Sequence, residues 1–258
     1  MERFFFIGNR KTTGWIVFSN WLIILLLLSI FIWFGFDKLD YEIRWSSLYD
    51  YRWNFLQGSI NTIIISAISL VTSLIIGVFF GLSQKSSLIL LRYFSQTFIE
   101  IIRGTPLLVQ ILIFFYVIAN AIGLDNRFVS GIIIMSIFSG AYIAEIVRGG
   151  VESIGKSQWE TGRAIGLSTI QIYRYIVFPQ VITRILPSLA GQFVSLIKDS
   201  SLLSIIAIKE FTMAAREMNA NTFSTLEAYI PLAIGYLILT IPISRLTRKI
   251  EKKYSFDT

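Results

Sequence analysis

Gln192, Ser195 and Asp199 stand at i, i+3 and i+7, the spacing that stacks side chains on one helical face. The run around them is otherwise apolar. There a carboxylate can hold the ammonium of a small zwitterion, while the amide and the hydroxyl take its polar groups. The alternative is that Lys198 and Asp199 pair with other charges and stabilise a break in the helix. Glu145 and Arg148 lie one turn apart, as do Glu100 and Arg103. That spacing suits ion pairs or gates, and second a solute path through Glu145 and Glu100. The chain has no histidine and no cysteine. Thiol chemistry is excluded, and so are the commonest metal ligand and the commonest general base. No metal site and no catalytic residue is expected.

These polar groups are held in an apolar chain. Of 258 residues, 54% are hydrophobic and only 15% are charged, against about 25% charged in soluble domains. The apolar residues cluster in six uncharged runs: Trp15–Phe36, Gly58–Gln84, Gly104–Leu124, Phe128–Ala144, Ile185–Ile197 and Ala228–Ser244. A bilayer core ~30 Å thick needs about 20 helical residues. The fifth run is short, but nine uncharged residues follow Lys198-Asp199. The reading is an all-α integral membrane protein with six transmembrane helices, the fifth interrupted by charge. The first run is too long for a signal peptide, and no small-x-small cleavage site follows it.

The net charge of +7 does not point to nucleic acid. With the N-terminus inside, 16 of the 23 basic residues fall in cytoplasmic segments, six fall outside, and Lys198 lies in a span. The positive-inside rule therefore puts both termini, and the loop 149–179, in the cytoplasm. The Tyr- and Trp-rich segment 37–57 suits an outer interfacial belt, and Arg245–Lys253 is a basic flanking tail. Thr62, Ser66, Ser69, Ser73, Gly77 and Gly81 share one face of the second span. Small residues let helices approach closely in lipid, so this face reads as a packing seam, with a solute path along it as the alternative. Gly104-Thr105-Pro106 breaks the third span. The stretch 88–103 is either an elbow at the inner surface or the first part of a kinked helix.

The loop 149–179 is polar and long. Ser157 is expected to cap a helix, with Glu160 as its capping-box partner, and Gly166 to end it in a left-handed turn. A second short helix is expected from Thr169 to Phe178, stopping at Pro179. The pair exposes Glu160 and Arg163, with Trp159, Ala164, Ile165 and Leu167 as an apolar patch. This suits a docking surface for a soluble partner.

The residues Glu160, Gly166, Ile176 and Pro179 carry a resemblance. The chain resembles the permease subunits of type I ATP-binding-cassette importers, in the polar amino acid uptake group, histidine/arginine/glutamine-type. Their loop reads Glu-Ala-Ala, three residues, Gly, nine residues, Ile-x-Leu-Pro. Thr161 and Gly162 replace the alanines here, and Phe178 the leucine. The stretches Arg103–Gln110, Gly140–Gly150 and Lys198-Asp199-Ser200-Ser201-Leu202 are similar to the same group. The resemblance implies a five-helix core over 55–250 plus an extra N-terminal helix in 1–54, and a cytoplasmic tail at 251–258.

The resemblance further implies a permease subunit of an ATP-driven importer of a polar amino acid, in a bacterial cytoplasmic (inner) membrane. Trp159, Glu160, Thr161, Gly162, Arg163, Gly166 and Pro179 would couple it to an ATPase dimer. Gln192, Ser195, Asp199, Ser200, Glu145 and Glu100 are the positions considered for the solute. A second permease chain, copy or paralogue, and an extracytoplasmic binding protein complete the set. The chain itself is expected to hold no cofactor. ATP is bound and hydrolysed by the partner, because Gly150–Ser157 fits a phosphate-loop pattern without the α/β context it needs. The rival is an ion-gradient-driven secondary transporter, which would show deep carboxylates and internal repeats.

Overall fold

The computed structural model describes residues 14–37 and 41–254. The chain divides into two compact units, residues 1–43 and 44–258. The first contains helix α1 (Gly14–Asp37), which carries no charge before Asp37. Its 24 residues are about 36 Å long at the usual rise.

The second unit starts with α2 (Ser46–Asp50) and α3 (Arg52–Ser83). Next come α4 (Ile89–Gly104), α5 (Leu107–Ile113), which runs into a widened stretch Phe114–Ala119, and α6 (Arg127–Glu152). The short α7 (Lys156–Ala164) and α8 (Thr169–Ile172) form a hairpin. From α8 the chain passes through a second widened stretch, Tyr173–Val177, into α9 (Phe178–Asp199). A tight 3-10 segment, Ser200–Ile206, leads to α10 (Phe211–Thr222) and α11 (Thr225–Tyr254). Among the described residues there is no strand. Four helical stretches of this unit are long and apolar enough to cross a membrane: α3, α6, Thr169–Ile206 and Thr225–Lys249. The pair α4 and α5–Ala119, bent by 107°, counts as one more if it is a single broken span.

The bend follows from Pro106, which has no N–H to give and forces Thr105 to be extended, φ −117° and ψ 144°. Gln110 covers the opened turn. Its side-chain amide donates to the carbonyls of Ile102 at 2.7 Å and Thr105 at 3.0 Å.

Pro179 does not stop a helix as expected. It sits in the first turn of α9, just after the wider turns of Tyr173–Val177. The missing N–H is tolerated at a helix start, and the wider turns make room for the ring. The helical stretch likewise does not end at Lys198-Asp199. The helix narrows at Ser200 and stops at Ala207, whose φ is +55°.

The packing centre is α3 against α6. The small face of α3 is fully covered: Thr62, Ser66, Ser69 and Ser73 are all buried. A Cβ on Gly77 would come within 2.4 Å of Ile143, and one on Gly81 within 2.7 Å of the Ala144 carbonyl oxygen. The face is a seam with no room for a solute. Apolar residues on the other side of α3, such as Val71, Ile75 and Phe79, remain exposed.

Candidate functional site

The α7–α8 hairpin is built around its own small core. Gly155, not Ser157, precedes α7, and no side chain caps it. The capping box is in α8: Ser168 Oγ accepts from the Gln171 N–H, while Gln171 Oε1 accepts from the Ser168 N–H. Serine and glutamine three apart suit this reciprocal bond, and the sequence reading assigned it one helix too early. Gly166 does end α7 as expected, with φ +82°. The N–H of Leu167 reaches the Gly162 carbonyl at 3.0 Å, and that of Gly166 the Arg163 carbonyl at 3.0 Å. This is the double bond of a Schellman ending.

The hairpin exposes Glu160, Thr161, Arg163 and Ala164. Ile165 is 68% exposed, and Ile170 on α8 is 79% exposed. Trp159 and Leu167 are not part of that patch. They turn inward with Tyr173 and Ile176 against buried Val151, Ile154 and Ile172, and the Trp159 ring meets the Tyr173 ring edge-on at 5.0 Å. Their aromatic and branched bodies bury apolar area that the short helices would otherwise leave wet. Gly162 is buried for a specific reason: an added Cβ would lie 2.9 Å from Ile172 and 3.1 Å from Ile176. Arg184 of α9 fastens this region to the spans. Its Nη1 donates to the Ser153 carbonyl at 2.6 Å and to the Ser153 hydroxyl at 3.0 Å.

A cavity of about 520 Å³ opens between α4, the end of α3 and the end of α6. Glu145 anchors it. The Arg148 guanidinium grips its carboxylate with two bonds, 3.0 and 2.9 Å. Arg103 reaches it at 3.1 Å and the Gln84 amide at 3.3 Å. Arg148 also bonds Glu152 at 2.7 Å, and Lys85 lies 3.4 Å from Glu152. Glu100, Arg92 and Gln96 line the same cavity, and among the described residues none of the three makes an ion pair. The arrangement offers a free cation, a free anion and an amide around a fixed charge network.

Gln192, Ser195 and Asp199 do not line this cavity. Gln192 donates to the Ser139 hydroxyl of α6 at 3.1 Å. Asp199 is half-buried, and neither it nor Lys198 pairs with another charge among the described residues, so no ion pair holds the break. Ser200 is buried and its hydroxyl donates to the Ile197 carbonyl at 2.9 Å. Arg184, Ser188 and Lys198, with Gly191 between them, form an exposed, largely polar stripe on α9, at steps of four, three and seven.

Sequence reasoning gave no role to two buried carboxylates, Glu210 and Glu227. Glu210, in the connection between the last two long helices, accepts from the N–H groups of Thr212 at 2.8 Å and Met213 at 2.7 Å, and from the Tyr236 hydroxyl at 3.2 Å. It caps α10, and burial pushes its pKa up to about 7. An acidic residue just ahead of a short helical pattern was the available signal. Glu227 accepts the Arg44 backbone N–H, a contact 183 residues away in sequence that no local pattern announces.

Residues 73–256 match the family described as binding-protein-dependent transport system inner membrane component. The chain is 35% identical over 215 residues to the glutamine transport system permease protein GlnP of Escherichia coli (strain K12), a match covering 82% of this chain and 98% of that protein. It is 32% identical to the probable glutamine ABC transporter permease protein GlnM of Bacillus subtilis (strain 168), over 81% of this chain and 99% of the relative. Among solved structures, an amino acid ABC transporter with histidines superposes with a TM-score of 0.77 at 31% identity, over 83% of this chain and 100% of that one. The MetNI methionine ABC transporter, inward facing, matches in fold at a TM-score of 0.63 and 16% identity.

Proposed function

The chain belongs to the family of binding-protein-dependent transport system inner membrane components, and on that premise we propose its solute, its partners and the way it is driven. It is the permease subunit of an ATP-binding-cassette amino acid importer. The solute we propose is a polar, uncharged amino acid of the glutamine kind, in line with the relatives' names. Glu100 would meet its ammonium, Arg92 its carboxylate and Gln96 its amide, all in the cavity organised by Glu145. Gln192, Ser195 and Asp199 are a second contact face along the fifth span. Ser200, already bonded inward, keeps a supporting role.

Six spans fit the chain, five in the core 55–250 and α1 as an addition, with both termini and the hairpin on the cytoplasmic side. The ATPase subunits dock on the hairpin through Glu160, Arg163, Ile165 and Ile170. Trp159, Gly162 and Gly166 keep it stiff, and Pro179 joins it to the fifth span. A second permease chain covers the polar stripe of α9, which is costly to leave against hydrocarbon. A binding protein delivers the amino acid outside, and ATP is hydrolysed on the ATPase partners alone. The observation that carries this reading is the hairpin: a capped, internally packed element with exposed charges and isoleucines, packed on the end of α6 at Val151 and Ile154, next to the Ser153 that Arg184 of α9 holds.

Vesicle uptake tests it. Glutamine uptake should require the ATPase subunits and ATP. Uptake driven by an ion gradient with no ATPase present would contradict the proposal.

A further inference from the structure

A second groove, of about 360 Å³, lies on the other side of Lys85 from the charged cavity. One end is polar, made by Ser83, Lys85 and Ser86 at the turn after α3. The other is apolar, made by Leu82, Leu91 of α4, and Tyr173 and Phe178 beside the hairpin. No carboxylate lines it. We propose that this groove binds an anionic phospholipid of the inner leaflet, with the phosphate on Lys85 and Ser83 and an acyl chain along Leu91, Tyr173 and Phe178.

Ser83 gives the first reason. It lines the groove, and its hydroxyl makes no hydrogen bond among the described residues. A hydroxyl open to the groove is free to donate to an anion lodged there. Lys85 supplies the matching charge. Among the described residues its one ion pair, with Glu152 at 3.4 Å, comes from the cavity side, and both side chains are partly exposed. Such a pair is weak and leaves ammonium protons to share. The apolar wall distinguishes a lipid from a free anion, because inorganic phosphate would leave Leu91, Tyr173 and Phe178 wet. Next to the groove, Leu88, Ile89 and Leu90 are 61%, 69% and 78% exposed. Three consecutive exposed apolar residues at the start of α4 carry the apolar wall outward to a bilayer surface. Tyr173 also touches Trp159, so an acyl chain in the groove would steady the hairpin from behind.

The choice of leaflet rests on the orientation proposed above, but the binding does not. The test uses the full chain in nanodiscs of phosphatidylcholine with added phosphatidylglycerol, followed by native mass spectrometry of the retained lipid. Phosphatidylglycerol should be retained in preference to phosphatidylcholine. Lys85→Gln should weaken that retention about fivefold, the effect of one basic residue near a membrane surface. Leu91→Trp, which fills the apolar wall, should also reduce it, and inorganic phosphate should not displace the lipid. Equal retention of the two lipids, unchanged retention in both variants, or displacement by phosphate would each overturn the proposal. A wrong orientation is detected separately, by impermeant labelling of the hairpin, and leaves the lipid count unmoved.

Discussion

Gly162 stands where the resembled loops carry alanine, and the residues opposite it give the reason. Ile172 and Ile176 already fill the space a Cβ would take. Gly162→Ala gains about 1 kcal/mol of helix propensity but meets an overpacking cost of about 1–3 kcal/mol. The single variant should therefore melt lower, and Gly162→Ala with Ile172→Val should recover most of the loss. Thermal unfolding of the purified permease checks both, and a neutral single variant would contradict the packing argument. This compensation was not legible in the sequence, because it joins positions ten apart across a turn. Gly166 was legible, since its left-handed turn depends on neighbours three or four residues away, whereas the cap expected at Ser157 and Glu160 lies one helix later, at Ser168 and Gln171. Trp159 was misplaced because its direction is set by Tyr173, on the next element. At Glu145 the spacing gave Arg148, whereas Arg103 and Gln84 arrive from other helices.

Helices in this chain are shaped at their ends. The Pro106 break was readable and gives a 107° bend. Pro179 looked like the same signal, but the widened turns ahead of it carry the helix through. Proline type alone does not separate the two cases; what differs is whether the preceding turns can open. Arg184 of α9 holds the carbonyl and the hydroxyl of Ser153, the residue just after α6, and so ties α9 to the connection that leads into the hairpin. Arg184→Ala should leave ATPase docking intact but cut the uptake per ATP hydrolysed by several-fold, measured in the same vesicles. Unchanged stoichiometry would show that the clasp transmits nothing.

The cap of α10 gives a pH signature. Glu210 has its pKa raised from 4.5 to about 7 in the fold, so between those values the folded state keeps a proton that the unfolded chain has released. Stability should then be highest at acid pH and fall as pH rises through that window, by up to about 3 kcal/mol. Glu210→Gln should flatten the profile in thermal melts, and an unaltered slope would remove Glu210 as its source.

Taken whole, the molecule was legible as an apolar, multi-helix chain with one polar hairpin, because length, hydropathy and cap spacing are local properties. Which helices meet, and the charged cavity they enclose, depend on tertiary packing. The unit 1–43 is separate from 44–258 and precedes the family match. A chain lacking residues 1–43 should still insert and support ATP-driven uptake, with at most a modest loss, and complete loss would make α1 part of the core. The central claim is that the hairpin is where an ATPase pushes. The chain has no cysteine, so Arg163→Cys gives a single reactive site on that hairpin. In vesicles holding the assembled transporter, a short bifunctional cross-linker should join residue 163 to the ATPase subunit, in a yield that changes when ATP is added. A residue 163 that never joins the ATPase, and instead reacts with an impermeant thiol reagent from the side where the binding protein docks, would contradict the account.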